Sequence, residues 1–377
     1  MKKLHVTYFF RKPRPQYFSI EKVFDQVIVN LPDHVISHIY KLKNGTNGWW
    51  GRVRALIEVR LNKGIINHIT GDITFIALAL PKKGLVVTYH DLESFRRSDN
   101  WIVDKIIKIF WIDIPVRRAE YVTCISEHTK NKIIEWTGCD PDKIVVVPNP
   151  LPEDLVYTPK AFNKENPTIL VMGTKANKNV QGILKAVGGF SFERDVCSPE
   201  SEVRSAGRDN YSDEEEETNC LQNSDSELPF DFAQGAITRF KLIVVGKMSD
   251  EQKGLAEQYN LEVENLVHVP YDSILDAYKR CDVLCFPSFY EGFGLPIIEA
   301  QAIGRPVITS NFGAMKEVAG EGAILVDPYC HKSILDGIYQ VFENKKRAQL
   351  IIAGNHNLKR FRADLIGQLY NQVYSKL

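Results

Sequence analysis

The chain has 377 residues, 44% hydrophobic and 25% charged, and its 47 Lys and Arg balance 47 Asp and Glu. That length exceeds what one domain usually holds and predicts two. The composition is that of an ordinary soluble globular protein and excludes a strongly biased or fibrous chain. The balance hides an asymmetry: residues 191–233 hold 13 acidic residues against 3 Arg, leaving 44 basic against 34 acidic elsewhere. A basic body suits anionic ligands or an acidic membrane face. Scattered solvated lysines would give the same count. Seven cysteines in no even framework, with no secretory signal peptide, predict free thiols in a reducing compartment.

In chain order, residues 4–10 read as a strand and 17–29 and 49–62 as helices. A strand at 85–89 ends at His90-Asp91. Residues 101–116 are apolar but broken by Asp104, Lys105, Lys108 and Asp113, which excludes a membrane span. Their spacing at 102, 103, 106, 107, 110 and 114 predicts a core-facing amphipathic helix, with a membrane-surface helix as the alternative. A strand at 121–125 precedes a helix capped by Ser126, and a strand at 143–147 closes at Pro148-Asn149-Pro150. Five prolines in 148–167 suggest a linker. The pattern then restarts with strands at 168–172, 241–245, 266–269 and 283–286 and helices at 179–187, 250–259 and 271–280. Alternating strands and helices predict parallel sheets of Rossmann type. The segment 191–234, rich in Ser, Glu, Asp and Asn, reads as a disordered surface insertion.

The most informative stretch is residues 289–300, FYEGFGLPIIEA. It lies between a buried strand and a helix. Gly292 and Gly294 suit positive φ and close approach of backbone N–H groups to a ligand. Pro296 suits the first helical position, and that helix start offers free N–H groups and a dipole to a diphosphate. Glu299, placed in the first turn, suits ribose hydroxyls; Glu291, in the loop, suits hydroxyls of a sugar beyond the diphosphate. The bland alternative is a surface loop before an ordinary helix.

This string resembles the E-x7-E segment of retaining GT-B glycosyltransferases, specifically glycosyltransferase family four. The likeness continues through 304–310, 313–320 and 323–328, is dense from about 241 to 328, scattered from 86 to 187 and weak before that. It implies an α/β GT-B architecture of two Rossmann-like domains facing a cleft. Residues 1–150 would form an acceptor-binding domain, 151–167 a linker and 168–345 the nucleotide-sugar-binding domain. Residues 346–377 form a helical segment that in such enzymes crosses back onto the first domain. The implied activity is retaining transfer of a sugar from a nucleotide-diphosphate sugar to a saccharide or lipid-linked saccharide, in polysaccharide or glycolipid assembly. The expected setting is cytoplasmic, with peripheral association at the inner membrane face as an option and no nucleic-acid partner.

Several residues carry over from the resemblance. Gly173, Lys175 and Lys178 occupy the loop where the family places an Arg and a Lys; the Arg position falls on Thr174, a departure. Lys247, Gly292, Phe293, Gly294, Leu295 and Glu299 complete the expected donor site. His90 and Glu291 are the catalytic candidates, and His68 is a weaker one. Arg11, Lys12 and Arg14 make the first loop basic where relatives have glycines, which suits an anionic acceptor, the membrane surface or a solvated loop. No metal or other cofactor is implied: the D-x-D at Asp140-Pro141-Asp142 reads as a proline turn, so Lys178 and the helix start near Pro296 would meet the leaving-group charge. The alternatives are another GT-B activity such as a nucleotide-sugar epimerase, or a non-catalytic nucleotide-sugar-binding subunit. A dehydrogenase is disfavoured because no G-x-G-x-x-G follows the first strand.

Overall fold

The computed structural model describes residues 3–12, 19–46, 48–92, 101–196 and 239–377. Most of the acidic 191–234 segment, and Arg14 with its flanking prolines, lie outside them. The chain forms two compact units, Met1–Pro152 with Lys359–Leu377, and Glu153–Leu358.

Unit 1 holds a six-stranded, all-parallel sheet: β1 (Leu4–Phe10), β2 (Val35–Lys41), β3 (Ile66–Ile69), β4 (Leu85–Tyr89), β5 (Tyr121–Cys124) and β6 (Ile144–Val146), in the order β2-β1-β3-β4-β5-β6. A parallel sheet is covered on both faces, so its inner strands are buried; every residue of β3 and of β4 is buried. The edge strand β2 escapes the sequence reading because its outer position lets Ser37, His38 and Lys41 sit among its apolar residues. Its register is nonetheless fixed along its length, from Leu4 opposite Val35 to Phe10 opposite Lys41.

On one face of this sheet, Val23, Phe24 and Val27 of helix Ser19–Val29 pack with Ile366, Tyr370, Val373 and Tyr374 of the C-terminal helix Ala363–Ser375. His68 sits fully buried among them, its Nδ1 2.7 Å from the Tyr374 hydroxyl and its Nε2 2.6 Å from Thr88 Oγ1. It is a packing group, and the weaker site assignment for it falls away because both ring nitrogens are bonded within the core.

Residues 101–118 correct the expectation of one core-facing helix. Helix Trp101–Ile107 passes into a wider π turn at Lys108–Asp113 before Ile114–Arg118. The extra residue in the turn rotates the following face. Ile112, Pro115 and Val116 are therefore buried, whereas Trp101 (71% exposed), Ile102, Val103, Ile106 and Phe110 face outward. No helix among the described residues is long and apolar enough to cross a membrane.

Unit 2 holds the second parallel sheet: β7 (Thr168–Met172), β8 (Lys241–Val245), β9 (Glu262–Leu266), β10 (Val283–Phe286), β11 (Val307–Ser310) and β12 (Ala323–Val326), ordered β12-β11-β10-β7-β8-β9. Counting from β7, the order runs 3-2-1-4-5-6, so the direction of progression reverses between β7 and β10. β9 lies four residues earlier than the apolar run at 266–269 suggests. It is an edge strand whose Glu262 and Glu264 pair with Lys241, and Glu264 also with Arg280; His268 takes a left-handed backbone, φ 54°, that ends any extended run.

The stretch after Glu153 is bonded into unit 2. Buried Asp282 accepts from the Lys160 ammonium and from the backbone N–H groups of Asn163 and Thr168. Buried Arg305 donates to the carbonyls of Thr158, Tyr278 and Lys279. Cys124, Cys139, Cys281 and Cys285 are free thiols, and burial pushes Cys281 up to about 12.

The buried imidazole of His68 links acidity to stability. Burial, with the nearby charge of His90, lowers its pKa from 6.5 to about 3. The unfolded ring takes up a proton near 6.5 and the folded ring only near 3, so stability is full above 6.5 and falls as pH drops through that window. The intact protein should therefore lose melting temperature between pH 7 and pH 5, and His68→Gln should lose less. An identical acid-side profile in variant and wild type would contradict this.

Candidate active site

The site in unit 2 begins where β7 ends. Gly173 is left-handed, φ 86°, and a Cβ there would lie 3.0 Å from the Lys178 side chain, so the glycine lets the lysine stem cross the loop. A 3-10 turn at Ala176–Lys178 then leads to Asn179, itself left-handed at φ 53°. Asn is among the few side chains that tolerate this conformation. The Asn179 amide is buried and donates to the carbonyls of Pro287 (3.2 Å) and Pro328 (2.6 Å), while its oxygen accepts from Gly182 N–H. One side chain thus ties together the loops that follow β7, β10 and β12.

The loop after β10 is held from the same side. Phe289 N–H donates to the Asn177 carbonyl at 2.8 Å, and the Asn177 amide donates to Tyr290 O and, at 3.3 Å, to Glu291 Oε1. The Lys178 ammonium lies 2.5 Å from the same Glu291 oxygen and 4.7 Å from the centre of the Phe286 ring. Their side chains are 19% and 16% exposed. The two residues that meet here come from the loops after β7 and β10, the pair of strands at which the sheet order reverses.

Helix Leu295–Ile303 starts after Gly294, φ 103°, with no side chain capping its N-terminus. Pro296 is therefore the second helical residue, not the first, and Glu299 lies in the second turn rather than the first, because the left-handed glycine sets the start one residue earlier. Gly294 alone of the two loop glycines takes a positive φ. Phe293 is 4% exposed and packs under the loop, so it offers backbone and not its ring. Glu299 accepts a 2.7 Å hydrogen bond from the Tyr278 hydroxyl. Burial first, then the Glu299 charge, pushes the Tyr278 and Tyr271 phenols up, which keeps them protonated donors. Lys175 and Lys247 are exposed at the ends of β7 and β8, their loops joined by a 2.8 Å bond from Thr174 Oγ1 to the Lys247 carbonyl.

In unit 1, His90 follows β4 and is half-buried. Its Nε2 lies 2.7 Å from the Thr70 carbonyl, so Nε2 carries the proton and Nδ1 a lone pair. Burial lowers its pKa against the opposing effects of the Thr70 carbonyl and Asp72, so the ring is neutral at pH 7. Arg11, one of the three basic residues of that loop, is bound to Glu21 at 3.1 Å and to Asp72 at 3.2 Å. Asp140 accepts from Asp142 N–H at 3.0 Å and caps its turn.

Two family models match the two halves of the chain: Glycosyltransferase Family 4 over residues 3–155, and Glycosyl transferases group 1 over residues 232–357. The chain belongs to the family 4, group 1 glycosyltransferases. The O-antigen chain mannosyltransferase RfbU of Salmonella typhimurium strain LT2 is 25% identical over 76% of this chain and 66% of its own length. The serotype-specific mannosyltransferase WbdA of Escherichia coli is 21% identical over 70% of this chain. The match spans only 30% of WbdA, so the chain corresponds to a portion of that relative. Among solved structures, Anabaena Alr3699/HepE in complex with UDP and glucose superposes with a TM-score of 0.70 at 15% identity, over 99% of this chain and 100% of that one. WaaG, a glycosyltransferase involved in lipopolysaccharide biosynthesis, superposes at 0.64 with 13% identity, over 98% and 99%. These likenesses establish the GT-B fold.

Asn179, Asn177 and Tyr278 were missed by sequence reasoning. Only Asn179 left a trace, as a turn-tolerant residue at a helix entry. Its replacement by Ala removes two bonds to buried carbonyls and strains a left-handed backbone, which should cost at least about 2 kcal/mol and up to about 6 kcal/mol of unit 2 stability. Hydrogen exchange should rise at Phe289, whose N–H is held by Asn177. Wild-type stability and protection in Asn179→Ala would show that it does not tie the loops.

Proposed function

We propose that the chain transfers a hexose from a nucleoside-diphosphate sugar to an acceptor hydroxyl with retention of anomeric configuration, during assembly of a polysaccharide or glycolipid. The observation that carries this reading is the Lys178–Glu291 pair at the reversal point of the unit 2 sheet, where open α/β folds bind ligands. It adjoins an uncapped helix start at Gly294. Family membership supports the transferase class. The relatives named as mannosyltransferases favour mannose as the first sugar to test, and the structural neighbour named with UDP favours a nucleotide donor.

In this scheme the diphosphate docks on Lys178 and the backbone of Gly173 and Gly292–Leu295, with Lys175 and Lys247 adding longer-range attraction. An incoming phosphate competes with Glu291 for the Lys178 ammonium. The released carboxylate then accepts hydrogen bonds from sugar hydroxyls, and Glu299, oriented by Tyr278, accepts those of the ribose. The bond from the anomeric carbon to the phosphate oxygen breaks as the acceptor oxygen attacks the same face of an oxocarbenium-like centre. The acceptor proton passes to the departing phosphate, whose charge meets Lys178 and the helix amides. The scheme requires the donor and the acceptor and routes no step through a metal or other cofactor. His90, neutral and with Nδ1 unprotonated, accepts a hydrogen bond from a substrate hydroxyl. The outward row from Trp101 to Phe110 supports peripheral attachment to a lipid surface close to a lipid-linked acceptor.

Steady-state kinetics with UDP-, GDP- and ADP-sugars test the assignment. Glu299→Ala should weaken donor binding about tenfold, and Glu291→Ala should cut turnover on the order of a hundredfold. Near-wild-type kinetics in both variants would remove the site from this account.

A further inference from the structure

The loops after β8, β7, β10, β11 and β12 follow one another along one end of the unit 2 sheet, and their chemistry changes in that order. Lys247, Lys175 and Lys178 stand on one side, Glu291 at the middle, and aromatic rings on the other. Phe289 follows β10, Phe312 follows β11 and Tyr329 follows β12. Tyr329 stacks on Phe289 with ring centres 4.9 Å apart and planes 27° apart, and on Phe312 at 6.2 Å and 12°. It nevertheless remains 73% exposed, while Phe289 and Phe312 are half-buried. The supports of these rings are those of the Lys178–Glu291 pair. Asn177 holds the Phe289 N–H, and Asn179 holds the carbonyl of Pro328, the residue before Tyr329. Three rings fixed in a stack with an open surface form a preorganised apolar shelf, not a scattered exposed side chain.

We propose that Phe289, Phe312 and Tyr329 form a stacking platform for a pyranose ring of the acceptor glycan. The proposal rests on the transferase reading and deepens it. A pyranose presents one face of C–H bonds, weakly positive, that matches the negative face of an aromatic ring, while its hydroxyls stay in water. The position selects the occupant. A donor whose phosphates lie at the lysines and whose sugar lies at Glu291 runs toward the aromatic side, and the next ring in line is the acceptor's. A nucleobase also stacks, but it lies beyond the phosphates at the opposite end.

Saturation-transfer NMR and titration on the full chain decide this, using methyl glycosides and trisaccharides of mannose, glucose, galactose and N-acetylglucosamine, with UDP, GDP and ADP in a separate arm. At least one saccharide should bind wild type, bind Tyr329→Ala about tenfold more weakly, and bind Tyr329→Phe as wild type does. Nucleotide affinity should be the same in all three proteins. The platform is overturned if no saccharide binds wild type, if Tyr329→Ala leaves saccharide binding intact, or if the variant loses nucleotide affinity instead. The saccharide arm judges the platform whatever the nucleotide arm shows; failure of wild type to bind any of the three nucleotides counts against the transferase reading alone.

Discussion

The reversal of strand order between β7 and β10 is the constraint on which the rest of unit 2 depends. Parallel strands need long crossovers that cover the sheet on both faces. Where the crossovers change direction, the loops after the two central strands diverge, and a ligand-sized crevice follows from topology alone. In this chain those loops carry a cation and a carboxylate that meet at 2.5 Å. The fold brings Lys178 and Glu291 together across 113 residues of sequence, and neither has to reach far.

Magnitudes separate what holds this arrangement from what uses it. A partly exposed lysine–carboxylate pair contributes on the order of 0–1 kcal/mol to stability, too little to fix three loops. Asn179 is better placed, because removing its amide strands two buried carbonyls at roughly 1–3 kcal/mol each. The scaffold therefore does not depend on the ion pair, and the pair is free to exchange partners when an anion arrives. The Phe286 ring beneath the ammonium adds a second contact that does not neutralise it. Tyr278 plays the corresponding part for Glu299: its phenol, kept protonated by burial and by the carboxylate, orients the oxygen without removing its charge.

The inner strands could be read from the chain because strands buried on both faces are nearly continuous apolar runs, as in β4, β7 and β10. The edge strands β2 and β9 could not, whereas the edge strand β6 was legible at 143–147. β2 and β9 carry polar residues on their open sides, and β9 is stabilised by Glu–Arg and Glu–Lys pairs that look like solvated loop chemistry in one dimension. The phase of residues 101–118 was lost at a π turn that no residue type announces. At the site, the E-x7-E string revealed the loop and helix but not their detail. Gly292 and Gly294 look equivalent in sequence, yet only Gly294 needs a left-handed backbone. Phe293 looks like a ligand contact and is core, and Arg11 looks like a free cation and is bound to two carboxylates. Such distinctions belong to packing partners tens to hundreds of residues away.

The most direct test is a crystal structure of the chain with whichever of UDP, GDP or ADP binds it most tightly. The account predicts phosphate oxygens within hydrogen-bonding distance of the Lys178 ammonium and the amides around Gly294, with Glu291 displaced from the lysine and a ribose hydroxyl on Glu299. A nucleotide bound elsewhere, with the Lys178–Glu291 pair unbroken, would contradict it.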